Sequence, residues 1–291
     1  MAHPACEPRS AMTCSHCNGT GWRSHELEGV RRVGRCICWR REVAAAFLRQ
    51  SRIPAQYAKC SFSNFIQYPN DQLVRVVKKA RAFADAFPVT EKGLFIIGPP
   101  GIGKTHLGVA VLRHVVETKG VRGLFYDTRT LFSNIRGAYQ SSTLRSEAEI
   151  LREVTRAELL VFDDLGSIRL TDWVEETMNL IVTTRYNDRR PTIFTSNHED
   201  AAETDDLDSL LVRVGFRMHS RLHRMCDFLE FSGPDFGKFD YPPTSESLSA
   251  AWKNGPKQRM PKRATARARA QLKRSKEGQL ELGWSGGKAG S

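Results

Sequence analysis

A glycine-rich run that ends in a lysine and a threonine is the part of this sequence best suited to chemistry. The run consists of Gly98, Pro99, Pro100, Gly101, Ile102, Gly103, Lys104 and Thr105, and His106 follows it. Glycines let the backbone wrap closely around an anion, and the N–H groups of such a loop and of the helix after it point at phosphates. The run therefore predicts a phosphate-binding loop for ATP or GTP.

Two side chains of the loop have separate tasks in this prediction. The Lys104 ammonium would reach the β- and γ-phosphates, and the Thr105 hydroxyl would bind Mg²⁺. The apolar residues 94–97 precede the loop and an amphipathic run begins at His106, which supplies the strand and the helix that such a loop connects. Residues 98–106 are the candidate nucleotide-binding residues.

Two carboxylates follow another apolar run, residues 159–162. Asp163 is expected to bind Mg²⁺, and Asp164 to orient or deprotonate the water that attacks the γ-phosphate. The alternative is a strand-end turn with two solvated acids. The distance from the phosphate-binding loop along the chain favours the catalytic interpretation.

Polar and basic residues later in the chain complete the candidate site. Asn197 closes a further apolar run and is the candidate for positioning the attacking water. Within the basic segment 217–224, Arg221 is our candidate for a finger that neutralises phosphoryl charge in a neighbouring subunit. Arg217 and Arg185 are the alternatives, and a solvated basic helix face is the other interpretation of this segment.

The elements that must position these residues alternate along the chain. Apolar runs that predict strands cover residues 94–97, 123–126, 159–162, 192–195 and 227–231. Helical patterns cover residues 104–118, about 130–140, about 146–156, 173–187 and about 207–222. Short apolar runs between helices indicate a parallel sheet that is covered on both faces. We therefore predict an α/β fold with a five-stranded parallel sheet and helices on both faces.

Length and composition limit the remaining possibilities. The chain has 291 residues and 40% hydrophobic residues, enough for one α/β core with appendages. No apolar stretch approaches the roughly 20 residues of a membrane helix, and the N-terminus lacks the apolar centre of a signal peptide. Seven cysteines are an odd number, which argues against a disulfide framework. We expect a cytoplasmic protein with no membrane partner.

A cysteine pattern precedes the predicted core. Cys14 and Cys17 form a C-x2-C pair, and Cys36 and Cys38 form a C-x-C pair. Four thiolates from two tight turns suit tetrahedral Zn²⁺, and Gly19 and Gly21 allow the sharp turns of a zinc knuckle. His16 or His25 is an alternative for one ligand, and four unpaired thiols in an unstructured leader are the remaining interpretation.

Charge divides the chain unevenly. Residues 253–276 hold ten of the basic residues and no acid, so the rest of the chain keeps only +2 of the net charge of +12. We predict four segments: a cysteine-rich zinc-binding module (1–50), a linker and helix (51–88), an ATPase core (89–240) and a disordered basic tail (241–291). The tail suits non-specific phosphate contacts with nucleic acid, or else solubility or targeting.

Taken together, these motifs resemble one family. The segments GPPGIGKTHL, LLVFDDLG, RYNDRRPTIFTSN and SRL, within residues 51–235, are similar to the AAA+ ATPases of the DnaC/DnaI helicase-loader and IstB transposition-helper group. The resemblance implies ATP and Mg²⁺ at a subunit boundary and self-association into an open ring or spiral. Many related ATPases have glutamate where this chain has Asp164, which leaves the identity of the base open.

The resemblance also implies partners. Loaders of this group hold a hexameric replicative helicase through an N-terminal extension and bind single-stranded DNA, for which Arg129 and Arg136 are at the expected place. A small cysteine module precedes the ATPase in many helicase loaders, which favours an ATP-dependent helicase loader. The alternatives are an IstB-like ATPase that binds duplex DNA and regulates a transposase, and a nucleotide-regulated DNA-binding scaffold with negligible turnover.

Overall fold

The computed structural model describes residues 14–27, 30–138, 146–200, 209–239 and 243–254. The strands in these residues are β1 (Trp22–Leu27), β2 (Val30–Arg35), β3 (Gly93–Ile97), β4 (Gly123–Asp127), β5 (Leu159–Asp163), β6 (Thr192–Ser196) and β7 (Cys226–Glu230). The helices are α1 (Ile37–Gln50), α2 (Asp71–Ala86), α3 (Lys104–Lys119), α4 (Thr128–Ala138), α5 (Glu147–Arg156), α6 (Asp172–Asn187), α7 (Leu210–Val214), α8 (Phe216–Met225) and α9 (Ser245–Asn254).

Strands β3 to β7 form one parallel sheet in the order β4-β5-β6-β3-β7. The predicted five-stranded parallel sheet is therefore confirmed. Its register pairs Ile97 with Ser196 across β3 and β6, and Phe162 with Phe194 across β5 and β6. Because parallel strands end at the same edge, the polar residues that follow β3, β5 and β6 meet there.

Both faces of this sheet are buried. On β3, Leu94 and Ile96 belong to the core that α2 and α3 cover, whereas Phe95 and Ile97 belong to the core that α4, α5, α6 and α8 cover. Successive side chains of a strand point to opposite faces, so a strand covered on both sides is apolar throughout. This explains why the strands read as uninterrupted apolar runs in the sequence.

The single helix predicted over residues 207–222 is wrong. The described part of this region forms two helices, α7 and α8, which Gly215 separates with a φ of 82°. A positive φ of this kind cannot continue an α-helix, and glycine adopts it without a steric penalty. Helix α8 then buries Met218, Leu222 and Met225 against the sheet.

The folded part of the chain extends beyond the boundary predicted at residue 240. In the segment predicted to be disordered, α9 buries Leu248 completely, and its Trp252 packs against Tyr68 with ring centroids 6.3 Å apart. Thr244 and Ser247 cap this helix through reciprocal backbone-to-side-chain bonds. Disorder was predicted here because Pro, Ser, Gly and basic residues dominate the whole segment, and this composition hides the few apolar residues that α9 buries. Residues 255–291, with most of the basic tail, lie outside the described residues.

The N-terminal module is a hairpin followed by a helix. Strands β1 and β2 are antiparallel, and the Arg35 guanidinium lies between the Trp22 and Trp39 rings, at 3.8 and 4.5 Å from their centroids. Helix α1 packs against α3 and β4, and the Phe125 N–H donates to the Ser51 carbonyl at 2.7 Å. The helix thus joins the cysteine module directly to the sheet. Within the described residues, no helix has the length and apolar character needed to span a membrane.

Arg185, an alternative candidate for the arginine finger, is a structural residue. Its side chain is 1% exposed and donates hydrogen bonds to the carbonyls of Val154, Ala157 and Pro191 and to the Thr192 hydroxyl. A finger must reach a neighbouring subunit, so the buried position excludes Arg185 from that role. Burial lowers its pKa to about 9. Its carbonyl contacts fix the C-terminal end of α5 and the entry to β6.

We expect Arg185→Lys to destabilise the fold by about 3–5 kcal/mol, because a lysine cannot replace a guanidinium that bonds several buried carbonyls at once. Urea-induced unfolding measures this loss. Arg190→Lys is the matched control: Arg190 also donates to a carbonyl, that of Arg156 at 2.7 Å, but one third of its side chain is exposed. The control should lose less than about 1 kcal/mol. Equal losses in the two variants would contradict the structural role.

Candidate nucleotide-binding site

The glycine-rich loop lies between β3 and α3, as the sequence predicts. Gly101 and Gly103 have φ values of 79° and 95°, which a residue with a side chain adopts only at a cost. A Cβ on Gly101 would overlap the carboxylate of Asp235. Gly103 is the residue at which α3 begins, so the free N–H groups of the first helical turn point into the cleft.

Lys104 is buried although it carries a charge. The residue is 7% exposed, and its ammonium donates to the Pro99 carbonyl at 2.7 Å and to Asn197 Oδ1 at 2.6 Å. Burial lowers the pKa of Lys104 to about 8, and the carboxylates of Asp163 and Asp164 oppose the shift. An ammonium has three N–H donors, and two of them form these bonds within the described residues. One donor is left for a phosphate oxygen.

Thr105 and Asp163 form the adjacent part of the site. The Thr105 hydroxyl donates toward both carboxylate oxygens of Asp163 at 3.0 Å, and the Thr195 hydroxyl donates to Asp163 Oδ1 at 2.6 Å. Burial raises the pKa of Asp163 to about 6, against the effect of these hydroxyl bonds. A hydroxyl and a carboxylate are hard oxygen ligands of the kind that Mg²⁺ prefers, so this pair fits the ion.

Asp164 and Asn197 continue the network. Asn197 Nδ2 donates to Asp164 Oδ1 at 2.6 Å, while its Oδ1 accepts from Lys104, so the amide joins a cation to a carboxylate. Asp164 has a φ of 56°, a left-handed conformation that aspartate tolerates better than most residues. The Asp164 N–H donates to the Thr195 hydroxyl at 2.9 Å, which holds this turn in place.

The network opens into a cleft of about 820 Å³. One wall of this cleft comes from the segment 56–66, including Tyr57 and Phe65. His106 is also in this wall: its Nε2–H donates to Asn64 Oδ1 at 3.0 Å and to the Ser61 carbonyl at 3.2 Å, and its ring meets the Phe65 ring edge-on. Burial lowers the pKa of His106. This histidine therefore ties the wall to α3.

The segment after β7 crosses the glycine-rich loop. The Phe236 N–H donates to the Gly101 carbonyl at 2.9 Å, and Asp235, Phe236 and Gly237 line the cleft. The sequence did not point to these residues, because a short segment without periodicity carries no signal of its own. The cleft is therefore bounded by the phosphate-binding loop, by the segment before α2 and by the segment after β7.

The candidate arginines of α8 lie outside this cleft. Arg217 is exposed and Arg221 is half-buried, and neither lines the cleft of its own chain. An arginine that acts on a neighbouring subunit must be placed in this way, and the role of Arg221 stays a prediction. Of the candidate DNA contacts, Arg129 donates to the Ser167 carbonyl at 3.4 Å, and the Arg136 guanidinium lies over the Trp173 ring at 5.2 Å.

The four cysteines of the N-terminal pattern converge. The sulfurs of Cys14, Cys17, Cys36 and Cys38 all lie within 4.8 Å of one another. The Gly21 N–H donates to Cys17 Sγ at 3.4 Å, the kind of bond that stabilises a thiolate in a tight turn. Four sulfurs at this separation fit a tetrahedral Zn²⁺. The side chain of His25, an alternative ligand, lies outside the described residues.

Two functional side chains were not identified from the sequence. In the sequence, Thr195 is only the end of a predicted strand, but its hydroxyl contacts both Asp163 and Asp164. The signal that could have identified it is a hydroxyl in an otherwise apolar strand. Tyr57 stands close enough to Asp163 that burial, followed by the Asp163 charge, raises its pKa. Tyr57 belongs to a short 3₁₀ turn, Ala55–Tyr57, which has no sequence signature.

Known proteins share this core. A profile of the family described as IstB-like ATP binding protein matches residues 35–207, more than half of the chain. YqaM of Bacillus subtilis (strain 168), which is described as uncharacterized, is 26% identical over 201 residues, covering 66% of this chain and 60% of YqaM. The replicative helicase loader DnaC of Escherichia coli (strain K12) is 26% identical over 148 residues, covering 51% of this chain and 59% of DnaC.

The chain thus spans about three fifths of the length of these relatives. A crystal structure of the DnaC helicase loader superimposes with a TM-score of 0.54 and 33% identity, over 61% of this chain and 99% of that chain. The predicted resemblance to AAA+ proteins of the helicase-loader and IstB group is confirmed.

We expect Asp163→Asn to stabilise the nucleotide-free protein at pH 8 by about 1–3 kcal/mol. Folding raises the pKa of this carboxyl from 3.8 to about 6, so the stability that it contributes is present below pH 4 and is lost as the pH rises through 6. The asparagine side chain stays neutral, so the Asp163→Asn variant does not lose this stability at high pH. Urea unfolding at pH 8 and at pH 5 should show an advantage that shrinks at the lower pH.

The control for this pH dependence is Asp188→Asn, since the Asp188 side chain is half exposed. That variant should show no advantage that depends on pH. With Mg²⁺ and ATP added, the parent chain and the Asp188→Asn control should both gain stability, and Asp163→Asn should not. An Asp163→Asn variant no more stable than the parent at pH 8 would contradict the assigned burial of the charge.

Proposed function

Because the chain belongs to the family of IstB-like ATP-binding proteins, we propose that it is an ATPase that loads a hexameric replicative helicase onto single-stranded DNA. The observation that carries the ATPase part is the network in which Asn197 joins Lys104 to Asp164, beside the Thr105–Asp163 pair. The loader part is supported by the likeness to proteins named as replicative helicase loaders.

In this proposal, the backbone N–H groups of residues 98–105 and the Lys104 ammonium bind the phosphates of ATP. Thr105 and Asp163 hold Mg²⁺, which when bound neutralises charge on the β- and γ-phosphates. Asp164 accepts a proton from the attacking water, and Asn197 positions that water. The carboxylate of Asp164 is one methylene shorter than glutamate, so we expect slow turnover that suits a timed release rather than a motor.

Asn197 gives the site a means of sensing the nucleotide. Its amide holds Lys104 on one side and Asp164 on the other, at 2.6 Å each. A γ-phosphate attracts the Lys104 ammonium more strongly than a neutral amide oxygen does. We infer that ATP draws the Lys104 ammonium away from Asn197. The side-chain oxygen of Asn197 is then free to accept a hydrogen bond from the attacking water.

The cysteine module is proposed to bind Zn²⁺ and to dock on the helicase. The convergence of the four sulfurs supports the metal, and metal binding would supply much of the folding energy of so small a unit. The hairpin leaves large apolar side chains exposed, among them Trp22 at 47% and Val33 at 68%. Exposed apolar surface of this kind marks a protein-binding site.

Single-stranded DNA and further copies of this chain are the remaining proposed partners. Arg129, Arg136 and the basic tail offer cations for DNA phosphates. Arg221 on α8 is proposed to reach the nucleotide of a neighbouring subunit in a ring or spiral. None of the cysteines in the described residues forms a disulfide, which suits the cytoplasm that we propose for this chain.

A second candidate function follows from the family description. IstB-like proteins form the matched family, so an ATPase that binds duplex DNA and regulates a transposase is the alternative. The cysteine module favours the loader over this alternative. A nucleotide-regulated DNA-binding scaffold with negligible turnover is the third candidate, and Asp164 in place of glutamate is the observation that favours it.

We expect Lys104→Ala to abolish ATP hydrolysis and Asp164→Asn to retain ATP binding while slowing hydrolysis by about 100-fold or more. Phosphate release and nucleotide-binding assays separate the two effects. Lys119→Ala and Asp188→Asn are matched controls outside the cleft and should behave as the parent. Undiminished hydrolysis by Lys104→Ala would show that the site is wrongly assigned, and undiminished hydrolysis by Asp164→Asn would remove Asp164 as the base.

We expect the full chain with ATP to co-purify with the replicative helicase of its host, and a chain that lacks residues 1–36 to lose it. This truncation keeps α1, which packs against α3, so the core should stay folded. A chain that lacks residues 255–291 is the control: it should retain the helicase and bind DNA with a weaker dependence on salt. Absence of helicase binding by the full chain would favour the transposase regulator.

A further inference from the structure

A second group of metal-binding side chains lies away from the cysteines and the nucleotide cleft. Asp200, His219 and His223 place their ligand atoms within 4.8 Å of one another. His219 Nε2 is 2.6 Å from Asp200 Oδ1, and His223 Nε2 is 3.1 Å from Asp200 Oδ2. The nitrogens of both rings thus face the two oxygens of one carboxylate.

The spacing of the two histidines is that of a chelating pair. His219 and His223 are four residues apart on α8, which puts both rings on the same side of the helix, with centroids 4.6 Å apart. Two imidazoles at this spacing on a helix are a known zinc-binding arrangement. A carboxylate from another segment completes a set of two nitrogens and one oxygen, which leaves at least one position open.

The surroundings hold these ligands in place. The His223 ring is stacked on the Phe228 ring at 4.0 Å, with an angle of 5° between the planes. The Leu210 N–H donates to the carbonyl of Glu199 at 2.8 Å, which anchors the residue next to Asp200. The side chains of His219 and Asp200 are 17% and 23% exposed, so the cluster is accessible to an ion from solvent without a change of fold.

The distances between the ligand atoms are close to those of a metal site. Ligand atoms at about 2.1 Å from a tetrahedral metal are about 3.4 Å apart. The observed separations of 2.6 and 3.1 Å are slightly shorter, as expected of hydrogen-bonded pairs, and His223 has 44% of its side chain exposed. Small movements of both histidine rings away from Asp200 would bring the ligand atoms to the separations of a metal site.

We propose that Asp200, His219 and His223 bind a divalent transition metal such as Zn²⁺, Co²⁺ or Ni²⁺. The position gives the ion a structural consequence. Asp200 is three residues after Asn197, and the two histidines flank Arg221 on α8. A bound ion would therefore connect Asp200, in the segment after Asn197, to α8, the helix that carries Arg221. The metal site itself does not depend on the proposed ATPase activity.

Metal content and cobalt spectra of the full chain test this site. Thiolate ligands give cobalt intense charge-transfer bands in the near ultraviolet, whereas nitrogen and oxygen ligands do not, so the spectrum distinguishes this cluster from the cysteines. We expect His219→Ala and His223→Ala each to bind one metal ion per chain fewer than the parent, with the thiolate bands unchanged. Asp200→Asn should weaken binding of that ion by about tenfold or more.

The matched control is His114→Ala. His114 pairs with Asp85 at 2.9 Å and is 26% exposed, which resembles the His219–Asp200 pair without a second histidine. This control should bind as many ions as the parent. Circular dichroism and ATP binding establish that each variant is folded, and His223→Ala, at the most exposed ligand, disturbs the fold least. Equal metal content in the parent and both histidine variants would overturn the proposal and identify the cluster as ion pairs only.

Discussion

The arrangement of this protein depends on opposite charges that are buried together at one edge of a parallel sheet. Lys104 is the first residue of α3, and Asp163 and Asp164 stand at the end of β5. Withdrawal from water disfavours the charged form of the buried groups, which is why the pKa of Lys104 falls and that of Asp163 rises. The hydroxyls of Thr105 and Thr195 and the side-chain amide of Asn197 form hydrogen bonds that fix the positions of these charged groups. Phosphates and Mg²⁺ supply the charges that such a site lacks, so nucleotide binding relieves a cost that folding imposes.

Strand order brings these charges together. β6 lies between β5 and β3 in the sheet, although it follows both in the chain. Its polar end therefore stands between the carboxylates and the glycine-rich loop. Thr195 contacts Asp163 at the end of β5, and Asn197 contacts both Asp164 and Lys104, which follows the loop after β3. The apolar faces of the sheet keep this order, because its strands other than the edge strand β7 are buried between helices on both sides. The geometry of the candidate site is thus a consequence of core packing.

The sequence predicts those features that depend on short stretches of chain. The glycine-rich loop, the five strands and the polar residues at their ends each have a local signature, and parallel strands that share an edge bring such residues together. Arg185 and α9 have no such signature: an arginine looks like a surface residue until its buried carbonyl partners are known, and Leu248 and Trp252 lie in a segment of disordered composition. The convergence of Asp200 with two histidines is likewise a product of tertiary structure.

If the chain binds ATP as proposed, a short path connects the nucleotide to α8. Asn197 changes partners if Lys104 moves to a phosphate, and the chain continues from Asn197 to Asp200 within three residues. Asp200 contacts both histidines of α8, and an adjacent side of this helix packs into the core through Met218 and Leu222. A helix with one face fixed in the core responds to a pull on its other side by a small rotation rather than by unfolding. Such a rotation would change the direction of Arg217 and Arg221, the candidate residues for contact with a neighbouring subunit in the proposed function.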